Sequence, residues 1–253
     1  MPRVTRLSIA PVKALGLVHP EEIELETTGV PEDRRFYILD DRGRLFTGSK
    51  LGPLVRVRVE YDQGRLALRF PDGEVAGGEV RVAGGREKSS FWGRPVHGSA
   101  VIGPWSDALS RYAGRQLRLM RADPSDGGWD EYPASVVSTA SLEELARHAG
   151  VEGRVDARRF RMLIEVAGCA PHEEDEWIGR SVRAGEAILR VEKPDSRCVV
   201  TTQDPDTGIG DLNTLETIAA YRGRRDGKID FGMYAAVDRP GRVRVGDPVE
   251  PAD

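Results

Sequence analysis

The residues best equipped for chemistry lie in one stretch, Lys193–Tyr221, KPDSRCVVTTQDPDTGIGDLNTLETIAAY. Cys198 is one of two cysteines in the chain, and Arg197 stands directly before it. A nearby positive charge favours the thiolate, the form that ligates soft metals or attacks an electrophile. The β-branched run Val199, Val200, Thr201, Thr202 predicts an extended strand. Successive side chains on a strand point to opposite faces, so sequence adjacency alone does not place the guanidinium over the sulfur. The competing reading of a lone strand cysteine is a small buried hydrophobe. Asp204-Pro205-Asp206-Thr207-Gly208 has the residues of a tight turn. Asp211 is placed to cap a helix with Leu212, Leu215, Ile218 and Ala219 on its packed face.

No other nucleophile or metal set competes with this stretch. Cys169 and Cys198 fit no zinc or iron–sulfur spacing. His19, His97, His148 and His172 form no paired motif. The acidic run Glu173-Glu174-Asp175-Glu176 has metal-ligand residue types but no calcium-loop spacing, and it reads as a solvated turn. P-loop, dinucleotide-binding and nucleophile-elbow patterns are missing from the sequence.

The elements that must position this stretch are short and mostly extended. Runs such as Arg35–Leu39, Val55–Val59 and Leu66–Phe70 alternate, and they recur every ten to twelve residues with turn residues between. That spacing predicts a mainly β chain of the sandwich or barrel kind. A helix is expected over Pro104–Gly114, capped by Ser106, and another from a Ser141–Glu144 capping box to Gly150. Phe160–Val166 reads as an apolar strand carrying Arg161, and Ala122–Trp129 as a linker or mobile lid. The net charge of −4 and pI near 5.7 argue against a dedicated nucleic-acid binder. No apolar run approaches the roughly 20 residues that span a bilayer. The N-terminal MPRVTRLSIAPVK lacks a signal-peptide core, so a cytoplasmic location is expected.

The run Ser196-Arg197-Cys198-Val199-Val200-Thr201-Thr202-x-Asp204-Pro205-Asp206-Thr207-Gly208 resembles the central motif of MOSC domains. Phe231-Gly232-Met233-Tyr234 and the terminal Gly241-to-Val249 segment fit the same family. Pro11-Val12-Lys13 and Asp33-Arg34 resemble the N-terminal β-barrel that accompanies the domain in the mitochondrial amidoxime reducing component and its bacterial relatives. The resemblance implies an N-terminal β-barrel-like domain over residues 1–120 and a MOSC β-barrel with a few short helices over 121–253.

It further implies a molybdenum cofactor, a pterin with a dithiolene and a phosphate. Cys198 matches the residue that ligates the metal and carries the chemistry, and a soft thiolate suits a sulfur-rich molybdenum centre. Lys13, Arg34, Arg161, Ser196, Arg197 and Tyr234 match positions around the cofactor. For Lys13 and Arg34, the residues alone would read as ordinary surface charge. The implied activity is reduction of N-hydroxylated or N-oxide compounds. Two cysteines cannot build a four-thiolate cluster, so a separate electron-donor protein is implied. The alternatives are a persulfide sulfur carrier or transferase working through Cys198, and a non-enzymatic carrier of the cofactor. The chain departs from the family pattern at Ala14, Ser49 or Lys50, Asp195, and Met162-Leu163, which bears on cofactor affinity and substrate class.

Overall fold

The computed structural model describes residues 1–252. The chain is mainly β, as expected, with three α-helices among the described residues. Its principal sheet has seven strands in the order Arg3–Leu7, Ile164–Ala167, Ala134–Ser138, Asp230–Arg239, Ala187–Ser196, Ser181–Ala184 and Val249–Pro251. All neighbours are antiparallel except Ala134–Ser138 with Ile164–Ala167. The Arg3–Pro248 bridge brings the first and last strands together, so the sheet nearly closes into a barrel. Closure covers the unpaired strand edges that an open sheet would expose. Alternating residues such as Val136, Ile164, Val191, Met233 and Ala235 fill its interior.

The second half of the architecture comes from residues between these strands. Phe36–Asp40, Leu117–Ala122, Arg94–Ile102 and Arg81–Val82 form one sheet, with Glu87–Phe91 also paired to Arg94–Ile102. Arg58–Asp62, Arg65–Arg69 and Val75–Glu79 form a three-stranded meander beside it. The core between them includes Phe36, Ile38, Phe46, Leu68 and Trp105. The first strand of the chain hydrogen-bonds into the principal sheet, and Glu22–Leu25 pairs with Gly241–Arg244. The opening of the chain is thus interlaced with its end.

The helices close over gaps in the sheets. Helix α1 (Trp105–Ala113) ends at Gly114 in the left-handed conformation. Ser106 does not cap it: Ser106 lies inside the first turn, and its Oγ accepts from the Leu119 amide at 3.0 Å. Helix α2 (Thr139–Ala149) is capped by Ser138, three residues earlier than the Ser141 box predicts. Ser141 is instead buried and donates from Oγ to Glu174 Oε1 at 2.7 Å. Glu174 is itself fully buried in a 3-10 turn over Glu173–Trp177, which corrects the reading of that acidic run as a solvated turn. Helix α3 (Thr214–Arg222) packs Ile218 against a cluster that includes Leu142, Leu145 and Phe160. Its N-terminal neighbour is Asn213, because Asp211 pairs with Arg159 instead of capping.

Candidate active site

The strand Ala187–Ser196 reaches the site through two irregularities of register, between Val191 and Lys193 and between Pro194 and Ser196. Such bulges bend a strand and re-aim its side chains. Regular pairing stops at Ser196, and Arg197-Cys198 continue as an extended link anchored by the Arg197 amide to Ile229 O at 2.7 Å. Val199–Thr202 is then a 3-10 turn, not the strand that β-branching predicts. Thr201 Oγ1 bonds Cys198 O at 3.1 Å and contacts Thr214 Oγ1 at 2.8 Å, and these local bonds compete successfully with extension. Cys198 is consequently exposed, not a packed core residue.

The turn that follows is held as the sequence predicts. Asp204 Oδ1 accepts from the Asp206 and Thr207 amides at 3.1 and 2.8 Å, and Gly208 has φ +72°. This turn presses against the Gly52 segment so closely that a Cβ on Gly52 would lie 1.9 Å from Gly208 O. Gln203 Nε2 adds a bond to Gly48 O at 3.0 Å. The Cys198 loop is therefore fastened to the N-terminal half of the chain.

All seven residues singled out from the sequence line one cavity of about 660 Å³: Lys13, Arg34, Arg161, Ser196, Arg197, Cys198 and Tyr234. That volume suits a cofactor-sized ligand. Arg161 does not sit within a strand. It follows the 3-10 turn Ala157–Arg159 with φ +55°, and the strand begins only at Ile164. Arg34 also has positive φ, +50°, and donates to Arg161 O at 2.9 Å. Two non-glycine residues in the left-handed region, joined by a hydrogen bond at one wall, concentrate backbone strain where function is expected.

The electrostatics are dense. Lys13 is buried, with Nζ 2.5 Å from Asp130 Oδ1 and 2.9 Å from Gly128 O. Burial pushes its amine down to about 8 despite the Asp130 charge. Gly128 must lack a side chain, because a Cβ there would lie 1.9 Å from Arg34 O. Arg34 pairs with Asp33, which also accepts from the Ala10 amide at 2.7 Å. Arg197 pairs with Asp195 and donates to Phe160 O. Burial, partly offset by Arg197 and reinforced by Asp130, raises the Asp195 carboxyl to about 6. Burial likewise raises the Tyr234 phenol, with Asp195 and Asp130 acting in the same direction. Arg161 is the contrast: among the described residues no carboxylate lies within ion-pair distance of it, and it donates to Leu15 O at 2.7 Å. Burial and the neighbouring Arg34 bring its guanidinium down to about 10.

Ser196 points its Oγ to Asp230 Oδ1 at 2.7 Å, so its hydroxyl is already engaged. The expected lid, Ala122–Trp129, is tied down rather than free. Arg94 donates to Asp126 O at 2.7 Å and to Gly127 O and Asp130 O at 3.2 Å, with its guanidinium 3.9 Å from the Trp129 ring. Sequence reasoning missed Asp130, Arg159 and the hairpin-tip Trp92 on the cavity wall. The Gly127-Gly128 pair before Trp129-Asp130 was the available signal of a close backbone approach.

Residues 105–250 match the MOSC domain, and residues 1–115 match the MOSC N-terminal beta barrel domain. The chain belongs to the MOSC family. Mitochondrial amidoxime-reducing component 1 of Mus musculus is 42% identical to this MOSC chain, over 97% of it and 81% of the relative. The protein of the same name from Homo sapiens is 37% identical over 97% of the chain and 82% of the relative. Molybdenum cofactor sulfurase of Anopheles gambiae is 26% identical over 93% of the chain, which spans 34% of that longer protein. No helix of this MOSC protein is long and apolar enough to cross a membrane among the described residues.

Proposed function

We propose that this MOSC protein binds the molybdenum cofactor in the 660 Å³ cavity and reduces N-hydroxylated or N-oxide compounds. The observation that carries the reading is convergence: Lys13 and Arg34 from the start of the chain meet Arg161, Arg197 and an exposed Cys198 from its second half. The donor set fits the group. Arg161 offers a guanidinium with no carboxylate partner, suited to a phosphate. Arg197 Nε and Arg159 Nε are buried donors without hydrogen-bond acceptors, a condition that an oxygen-rich ligand relieves. No group of three or more His, Cys, Asp or Glu side chains able to hold a metal occurs among the described residues. A metal here would therefore arrive with its cofactor, and Cys198 would supply the protein's thiolate.

When bound, the cofactor supplies a two-electron redox centre. Lys13, Arg34 and Arg161 would fix the pterin and its phosphate, while Arg197 would fix the backbone that presents Cys198. Reduction of an N–O bond takes two electrons and two protons and releases water. The electrons would come from a separate donor protein, and the cytoplasm is the compartment proposed.

Metal analysis of the purified protein, with pterin fluorescence after oxidation and turnover of an N-hydroxylated substrate with an artificial electron donor, tests the reading. Molybdenum, pterin and turnover together support it. A metal-free protein carrying a sulfur adduct of about 32 Da on Cys198 would instead identify a sulfur carrier or transferase, a reading favoured by the sulfurase relative. Bound cofactor without turnover would identify a carrier.

A further inference from the structure

Most cations on the cavity wall are already matched. Lys13 pairs with Asp130, Arg34 with Asp33, Arg197 with Asp195, Arg159 with Asp211, and Arg158 with Asp156 and Asp206. Three lining cations have no carboxylate within ion-pair distance among the described residues: Arg161, Arg224 and Lys228. Arg161 lies deep and is assigned above to the cofactor. Arg224 and Lys228 are exposed and lie at the rim.

These two are not on a loose tail. Arg225 and Lys228 exchange backbone bonds at 3.0 and 2.9 Å around Asp226 and Gly227, both with positive φ, which is the geometry of a tight hairpin turn. The Arg197 amide bonds Ile229 O at 2.7 Å, and Ser196 Oγ and Arg225 Nε both bond Asp230 at 2.7 Å. The turn is thus fixed to the residues that immediately precede Cys198. Two cations without a carboxylate partner thus border the cavity into which Cys198 opens, where every other lining cation except Arg161 is paired. Like charges carried on one short turn favour an anion that can contact both.

We propose that Arg224 and Lys228 form an anion-recognition rim, so that the substrate accepted beside Cys198 carries a carboxylate or phosphate group away from its reducible nitrogen. The reducible nitrogen rests on the reductase reading, whereas the anionic group rests on the rim alone. The rim attracts the substrate and orients it, and takes no part in the electron transfer.

The test uses a neutral N-hydroxylated benzamidine and its ring para-carboxylate with the full protein. Without an electron donor, calorimetric titration should show the carboxylate binding about three- to tenfold more tightly, the range for two exposed charge contacts. That preference should disappear in Arg224→Ala/Lys228→Ala and shrink as salt is raised. Arg224→Lys should keep it. With donor present, the ratio of kcat/KM for the carboxylate over the neutral compound should fall by the same factor in the double variant. Equal binding of the two compounds to the wild type, or a preference that survives in the double variant, overturns the proposal. Release of a nucleotide-bearing cofactor on denaturation also overturns it, because the rim would then hold the cofactor's own phosphate. A binding preference without turnover of either compound sustains the rim and sinks the reductase reading.

Discussion

Cys198 and Cys169 are the two thiols of the chain, and they stand in different surroundings. Cys198 lies two residues beyond a bulged strand, lines the main cavity and is exposed. Cys169 is half-buried against the barrel core, beyond the end of the strand Ile164–Ala167. Burial, reinforced by Glu174 and Glu173, raises the Cys169 thiol to about 11. One thiol opens into a cavity whose wall carries several guanidinium groups, and the other is half-buried close to carboxylates. The difference lies in what the folded chain brings near each sulfur, since the glutamates stand four and five residues beyond Cys169 and reach it only through their 3-10 turn.

The largest test of that contrast exchanges each sulfur for oxygen. Cys198→Ser should lower turnover about 100-fold or more and lose metal with little change in unfolding temperature. Cys169→Ser should keep turnover and metal. A Cys198→Ser protein that is folded, metal-replete and fully active would erase the distinction.

The cations around Cys198 come next. Removing one charge-assisted phosphate contact costs about 1.5–3 kcal/mol, roughly tenfold or more in affinity. Arg161→Ala, Lys13→Ala and Arg34→Ala should each show that loss as reduced occupancy at limiting cofactor. Wild-type occupancy in all three would mean that the anionic end of the cofactor lies elsewhere.

Alkylation sharpens the comparison chemically. With its thiol near 11, Cys169 is about one part in a thousand thiolate at pH 8. In protein freed of cofactor, iodoacetamide at that pH should label Cys198 first, and labelling of Cys169 should keep rising toward pH 11. Peptide mass spectrometry reads both sites, and equal early labelling would contradict the burial contrast.

The last test is the pH dependence of stability from Asp195. Its folded carboxyl, near 6, lies above the ordinary 3.8, so between these values the native state holds more of its proton than the unfolded state. This group therefore makes stability fall as pH rises from about 4 to about 6, with the penalty fully present above. Asp195→Asn should flatten that segment of a denaturation profile. An unchanged slope would show that Arg197 keeps the carboxyl ionised.

Much of the fold is legible in the sequence because alternation and turn residues act locally. The hairpins at Asp40–Arg44 and Asp62–Arg65 need only their own residues. Non-local competition explains what was not. Ser106 and Asp211 have capping chemistry, but Leu119 and Arg159 claim them first. Val199–Thr202 has strand propensity, yet the side-chain bonds of Thr201 favour a turn. Arg161 lies in an apolar run whose first residues are pinned by a turn and by Arg34. For the site, the family motif marked seven residues, whereas the Gly127-Gly128 pair signals only a close backbone approach, and the role of Asp130 becomes visible through Lys13 Nζ at 2.5 Å.

The crossing of Gly52 and Gly208 also bears on how the cavity can move. Their backbones touch with no side chain between them. Side chains can slide or change rotamer to admit motion, whereas two backbones in direct contact must travel together or separate outright. The Gly52 and Gly208 segments are therefore coupled as one stiff panel of the cavity wall, so that a displacement of the Cys198 loop must carry the Gly52 segment with it.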